Sequence, residues 1–169
     1  KDRMAAYIFK AASGRGELDG KTTIIEATSG NTGIAFSRLG AINGMRVIII
    51  MPCNMSEERK KMMRVYGAEI IEVGHNAFHD AIDLRDKMLA SNASAWSPKQ
   101  FSNEDNIMCH RFTTGPEISS DTHGYKLEAF VCGAGTGGTM MGVKKFFSGT
   151  AQRGPKFVLA SPEEPADQH

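Results

Sequence analysis

Two short stretches concentrate the residues that could do chemistry. Residues 133–138 place four glycines in six positions, Gly133-Ala134-Gly135-Thr136-Gly137-Gly138, and Thr139 follows. Residues 28–33 read Thr28-Ser29-Gly30-Asn31-Thr32-Gly33. Each stretch follows an apolar run and precedes a helical pattern. Backbone N–H groups and hydroxyls at a helix start bind anions, because the first turn lacks internal acceptors and the helix dipole is positive there. Taken alone, the loop 28–33 reads equally well as a plain strand-to-helix turn, with Ser and Asn capping and Gly supplying unusual dihedrals. The loop 133–139 holds more glycine than a turn requires. Gly133-x-Gly135-x-x-Gly138 also fits the dinucleotide fingerprint of a nicotinamide-dependent oxidoreductase. That fingerprint calls for an acid at the tip of the next strand, about 20 residues on. Here that strand ends in Ser161-Pro162, and Glu163 lies past the proline. Two anion loops ask for two anionic groups, such as a cofactor phosphate and a substrate carboxylate. A lysine able to form a Schiff base would complete the chemistry.

These loops need elements to hold them. Residues 22–28, 46–52, 68–73, 128–135 and 156–161 are apolar runs of the kind buried on both faces of a parallel sheet. Residues 32–43 read as a helix with Ile34, Leu39 and Ile42 near one face. Ser56 is the expected N-cap of a second helix, with Glu57 and Glu58 in its first turn and a stop at Gly67. Residues 77–91 repeat the theme with Phe78, Ala81, Ile82 and Leu89. The β-α-β-α-β-α order predicts a doubly wound α/β fold with right-handed crossovers. Residues 92–106 are polar, hold Pro98 and the single Trp96, and predict an irregular connection between two lobes.

At this point the motifs resemble a known family. Lys1-Asp2-Arg3-Met4-Ala5, the loop 28–33, residues 51–73, Gln100-Phe101-Ser102-Asn103, residues 113–118 and residues 133–143 resemble the cysteine synthase and cystathionine β-synthase group of pyridoxal-phosphate enzymes, in family order across nearly the whole chain. The resemblance implies a two-lobed fold with doubly wound parallel sheets of the tryptophan synthase β-like type, incomplete at both ends. It places a smaller lobe in residues 1–103 and part of a larger one in 104–169. It implies that Lys1 carries pyridoxal 5′-phosphate and moves the α-proton, and that Gly135, Thr136, Gly137, Gly138 and Thr139 hold the phosphate. Thr28, Ser29, Gly30, Asn31 and Thr32 would grip the substrate carboxylate, Asn31 would also reach the cofactor's ring oxygen, and Gln100 would be a second carboxylate contact. The implied reaction is β-replacement on a serine-derived amino acid, O-acetylserine plus sulfide or a thiol, in a homodimer. Cystathionine synthase activity, cysteine desulfhydrase activity and a truncated non-catalytic relative are the alternatives. Where the family usually has Asn-Pro-Ala-Asn, this chain has Asn103-Glu104-Asp105-Asn106, which adds two carboxylates.

Other chemistry is poorly served. Among 169 residues, 41% are hydrophobic, 23% are charged and the net charge is +1, which suits neither nucleic acid nor a membrane surface. His75 and His79 have metal-ligand spacing on a helix but no third ligand, so no metal is expected. Cys109 and His110 are neighbours on a helix and point apart. Arg59, Lys60, Lys61 and Arg64 read as a solvated helix face. Cys53, Cys109 and Cys132 are scattered, without a CxxC pair; a reducing, cytoplasmic setting fits, with Cys132 as a small core residue. The chain starts at Lys1, so a targeting segment is neither seen nor excluded.

Overall fold

The computed structural model describes residues 1–150 and 154–161; Glu163, the acid weighed above for a ribose, lies outside them. The chain divides into two units, one formed by Lys1–Lys99 and the other starting at Gln100.

The first unit contains α1 (Asp2–Gly14), β1 (Thr23–Ala27), α2 (Asn31–Asn43), β2 (Val47–Pro52), α3 (Glu57–Val65), β3 (Glu69–Val73), α4 (Phe78–Ser91) and β4 (Ala95–Trp96). Its sheet has the order β3-β2-β1-β4, with every pair parallel. The chain therefore steps outward from β1 to β3 and returns through α4 to the far side of β1. Crossovers of one hand that run in opposite directions place their helices on opposite faces. The core shows this. Ile24, Val47, Ile49 and Met51 pack with residues of α1, α2 and α3, including Ile8, Phe36 and Met63. Ile25, Ala27, Ile48 and Ile50 pack with Ala81, Leu84 and Met88 of α4. Residues of β1 and β2 thus meet helices on both faces, which is why their sequences are apolar without alternation.

The second unit contains α5 (Glu104–Phe112), α6 (Thr114–Asp121), β5 (Ala129–Gly133), α7 (Gly138–Ser148) and β6 (Lys156–Ala160), with β5 and β6 parallel. Gly138 and Gly142 let α7 approach α5 closely. A Cβ on Gly138 would collide with the Asn106 carboxamide, and one on Gly142 would stand 2.5 Å from both His110 Cβ and Ile107 O.

Several expectations need correction. Helix α2 buries Thr32, Gly33, Ala35, Phe36, Ser37 and Gly40, while Ile42 is 67% exposed. Ile34 and Leu39 do pack against the core beside Phe36, and small residues fill the rest of the inner face where β2 and α3 come close: a Cβ on Gly40 would strike Val47, and one on Gly33 would meet Met63 at 2.8 Å. Lys60 is not on a solvated face. It is 1% exposed, and its ammonium donates to Cys53 O at 2.7 Å, Glu57 Oε1 at 2.8 Å and Glu72 Oε2 at 2.9 Å. The stretch 92–106 is not all irregular, since it holds β4 and the first turn of α5. There the Asn103 side chain accepts from Asp105 N at 2.9 Å, an N-cap that starts α5. Strands β5 and β6 are not buried on both faces: Val131 is 59% exposed, and Cys132 is only half-buried.

Candidate functional site

In the first unit, the loop after β1 lies where the strand order reverses. In open parallel sheets the crevice outside the strand ends at such a point is the usual ligand position. The ladder continues one residue past the strand, with Thr28 N donating to Ile50 O at 3.1 Å. The chain then turns, and α2 begins at Asn31 with Gly30 as its N-cap. Gly30 brings no side chain to cap the first turn. Gly30 N is itself 3.4 Å from Thr28 Oγ1, a long contact within the turn. Thr28 and Ser29 are half-buried, Gly30 and Thr32 are buried, and Asn31 is exposed. A planar anion here would meet helix-start N–H groups together with hydroxyls. The Arg59 guanidinium lies near: its atoms stand 3.5 Å from where a Gly30 Cβ would be.

Lys1 is the N-cap residue of α1, and its carbonyl accepts from Ala5 N at 2.9 Å. The residue is exposed over much of its area. Burial nevertheless pulls the pKa of its side-chain ammonium below the ordinary lysine value. Desolvation disfavours the charged form, so the neutral, nucleophilic amine is more abundant than in a fully solvated lysine.

In the second unit, the loop 134–137 joins β5 to α7, with Gly137 as the N-cap at φ +78°. That left-handed angle favours glycine. Gly135 has no such angle, and a Cβ on it would meet no described atom within 4 Å. Neither backbone conformation nor packing against described residues calls for glycine at 135. The bare backbone there is open to the approach of another group. The donors are the N–H groups that open α7 and the hydroxyls of Thr136 and Thr139, both half-buried. This set suits a phosphate. Gln100, 7% exposed, lines a cavity of about 130 Å³ together with Asn103, Glu104, Asn106 and Thr136. A residue matched above to the substrate and one matched to the phosphate loop therefore face one space.

Sequence reasoning gave no site role to the side chains behind this loop. Asn106 donates from Nδ2 to Gln100 O at 3.0 Å and to Thr136 Oγ1 at 2.9 Å. His110, one turn later, has Nε2 3.2 Å from Thr139 Oγ1 and Nδ1 2.8 Å from Thr114 Oγ1. The available signal was their i, i+4 spacing on one helix face. Cys109, the sequence neighbour of His110, is fully buried. No group of three metal-ligating side chains occurs among the described residues. No described helix is long and apolar enough to cross a membrane. Strand β6 ends at Ala160 and Ser161 follows, so among the described residues no acid stands at its tip.

Comparison with known proteins agrees with this geometry. The family described as "Pyridoxal-phosphate dependent enzyme" matches residues 1–169. Cysteine synthase B of Escherichia coli (strain K12) is 44% identical over 147 residues, which are 86% of this chain and 48% of that protein. The crystal structure of a cysteine synthase from Entamoeba histolytica matches with a TM-score of 0.89 at 39% identity, covering 98% of this chain and 48% of that one. A hydrogen sulfide-producing enzyme from Fusobacterium nucleatum matches with a TM-score of 0.84 at 44% identity, covering 88% of this chain and 46% of that one. The chain spans about half the length of the curated relatives it matches.

Proposed function

The chain belongs to the family of pyridoxal-phosphate-dependent enzymes, and from that premise we propose that it serves β-replacement on a serine-derived amino acid, with sulfide displacing the acetate of O-acetylserine to give cysteine. The observation that carries this reading is the bare backbone at Gly135 beside two threonine hydroxyls and the start of α7. Gly135 to Thr139 would hold the phosphate, Asn31 would reach the ring oxygen, and the Lys1 amine would hold the cofactor. Bound pyridoxal phosphate supplies an electron sink for the charge left at the substrate Cα. Thr28, Ser29, Gly30, Asn31 and Thr32 hold the substrate carboxylate, with Gln100 as a second contact. Once the substrate's own amine has replaced it on the cofactor, the freed Lys1 amine, whose pKa desolvation lowers, would take the proton from Cα. Acetate leaves from Cβ, hydrosulfide adds there, and Lys1 returns a proton to Cα. The protein acts as a homodimer in the cytoplasm, and sedimentation of the purified protein checks the assembly.

The test is a visible spectrum of the natural-length protein with pyridoxal phosphate, with Lys1→Ala in parallel, followed by assay of cysteine formed from O-acetylserine and sulfide. The reading expects a yellow, tightly held cofactor that Lys1→Ala no longer retains covalently. A protein that takes up no cofactor refutes it. A second reading, sulfide release from cysteine, draws on Glu104 at the cavity of Gln100 and Thr136. A carboxylate there opposes incoming hydrosulfide, and assay in both directions separates the two reactions.

A further inference from the structure

Asn106 is a polar side chain only 3% exposed, and the reaction outlined above does not use it. Both of its amide protons are committed. One goes to the Gln100 carbonyl and one to the Thr136 hydroxyl oxygen. The orientation of the carboxamide is fixed by chemistry as well as by geometry. A backbone carbonyl only accepts, so the nitrogen, not the oxygen, must face Gln100. The carboxamide lies against Gly138, where any Cβ would collide with it. Space for Asn106 is thus built into the glycine pattern of the loop itself.

The consequence falls on Thr136. Its oxygen accepts from Asn106, and Gly138 N also stands 3.4 Å from it. A hydroxyl has one proton, and Asn106 Nδ2 offers no lone pair to receive it. The Thr136 proton is therefore directed away from α5. We propose that Asn106 is a positioning residue: it sets the Thr136 hydroxyl as a donor to the bound phosphate and ties the loop to the Gln100 segment on the substrate side. This rests on the reading of loop 135–139 as a phosphate site.

Asn106→Asp tests it, because the side chain keeps its shape but turns from donor to acceptor. Thr136 would then donate backward, and the phosphate would lose a charge-assisted hydrogen bond. The readout is the ratio of affinities for pyridoxal phosphate and for pyridoxal, which lacks the phosphate, measured on the natural-length protein by absorbance titration. Losing such a bond lowers that ratio about 10- to 100-fold. Thr136→Val lowers it to a similar extent, and Asn106→Asp adds little in the Thr136→Val background. A merely structural role for Asn106 weakens both ligands equally and leaves the ratio unchanged, which overturns the proposal. Asn106→Leu, which neither donates nor accepts, is the second variant: Thr136 loses its orienting donor but gains no competing acceptor, so the ratio falls by less than with aspartate, and a ratio unchanged in both variants overturns the proposal. An unaltered protein that binds neither ligand refutes the phosphate site itself. One that prefers pyridoxal phosphate, with a ratio indifferent to residue 106, refutes only the role of Asn106.

Discussion

Gly142→Ala places the packing of α5 on α7 under a measurable load. Alanine is the better helix former in a helix interior by about 1 kcal/mol, so propensity alone predicts a gain. The structure predicts the reverse. The new Cβ would stand 2.5 Å from His110 Cβ, 2.5 Å from Ile107 O and 2.9 Å from Arg111 N. Ordinary contacts between carbon atoms fall near 3.5–4.0 Å. Two of the three obstructing atoms are backbone, so no rotamer change relieves them and the helices must move apart. Overpacking of a close-packed site costs about 1–3 kcal/mol, and backbone obstruction puts this case near the top of that range. The net loss is about 2 kcal/mol after the propensity gain is subtracted. Gly14→Ala, at the end of α1, is the matched control: a Cβ there meets nothing within 4 Å and its φ is not positive. It is neutral or stabilising by up to about 1 kcal/mol. Urea denaturation of the two variants decides the matter. If Gly142→Ala is as stable as the parent protein, the close approach of α5 to α7 is wrong, and with it the support described for loop 135–139.

Two further predictions concern buried charge in the first unit. Glu26 in β1 is 1% exposed, with Arg85 Nη1 of α4 3.3 Å from its Oε1; Arg85→Met leaves that carboxylate without its cation and costs about 3–5 kcal/mol, whereas Arg85→Met combined with Glu26→Gln recovers a large part of the loss in the same denaturation assay. Equal loss in the single and double variants would show that the pair is not the source. The Glu57 carboxyl is held below its usual value, first by its hydrogen bond to Lys60. A depressed acid adds stability that is present above its unfolded pKa and is lost as pH falls through its folded pKa. Lys60→Met should therefore raise the Glu57 pKa toward the ordinary glutamate value in an NMR titration and shrink the stability lost on acidification below pH 4 to 5; an unmoved Glu57 titration refutes the pairing.

The sheet of the first unit was legible because its cause is local. Ile24, Ile25, Val47, Ile48, Ile49 and Ile50 sit in strands with helices on both faces, and an unbroken apolar run is the direct record of that. Helix α2 was legible as a helix, and Ile34 and Leu39 do pack against the core, but Ile42 does not. Periodicity gives weight to large apolar residues, whereas beside Phe36 the buried face is built from Gly33, Ala35, Ser37 and Gly40, where neighbours come close. Lys60 was misread for a related reason. Its neighbours Arg59, Lys61 and Arg64 are charged in sequence, but its partner Glu72 is twelve residues away on β3. Helix α1 was missed although Met4, Ala5, Ile8 and Ala12 mark its buried face, because the run was read only as a motif. The glycine loops declared themselves through composition. The side chains behind them did not, since Asn106 gains its meaning from Thr136, thirty residues later.

The two loops are built by one plan yet differ in a way that bears on what each can hold. Both follow a parallel strand, both open a helix, and both use glycine as the N-cap residue. The first crowds its turn with Thr28, Ser29, Asn31 and Thr32. An anion there would meet hydroxyls together with a helix start, which suits a small planar group. The second keeps Gly135 and Gly137 free of side chains on open space. A phosphate is larger, carries more charge and offers three oxygens in a cone, so it gains from approaching bare N–H groups from several directions. That difference supports the proposed assignment, carboxylate at 28–32 and phosphate at 135–139. Exchanging the glycines tests that directly: Gly135→Ser should weaken pyridoxal phosphate far more than pyridoxal, whereas Ser29→Ala should leave cofactor binding close to normal and raise KM for the amino acid. The opposite pattern would exchange the roles of the loops.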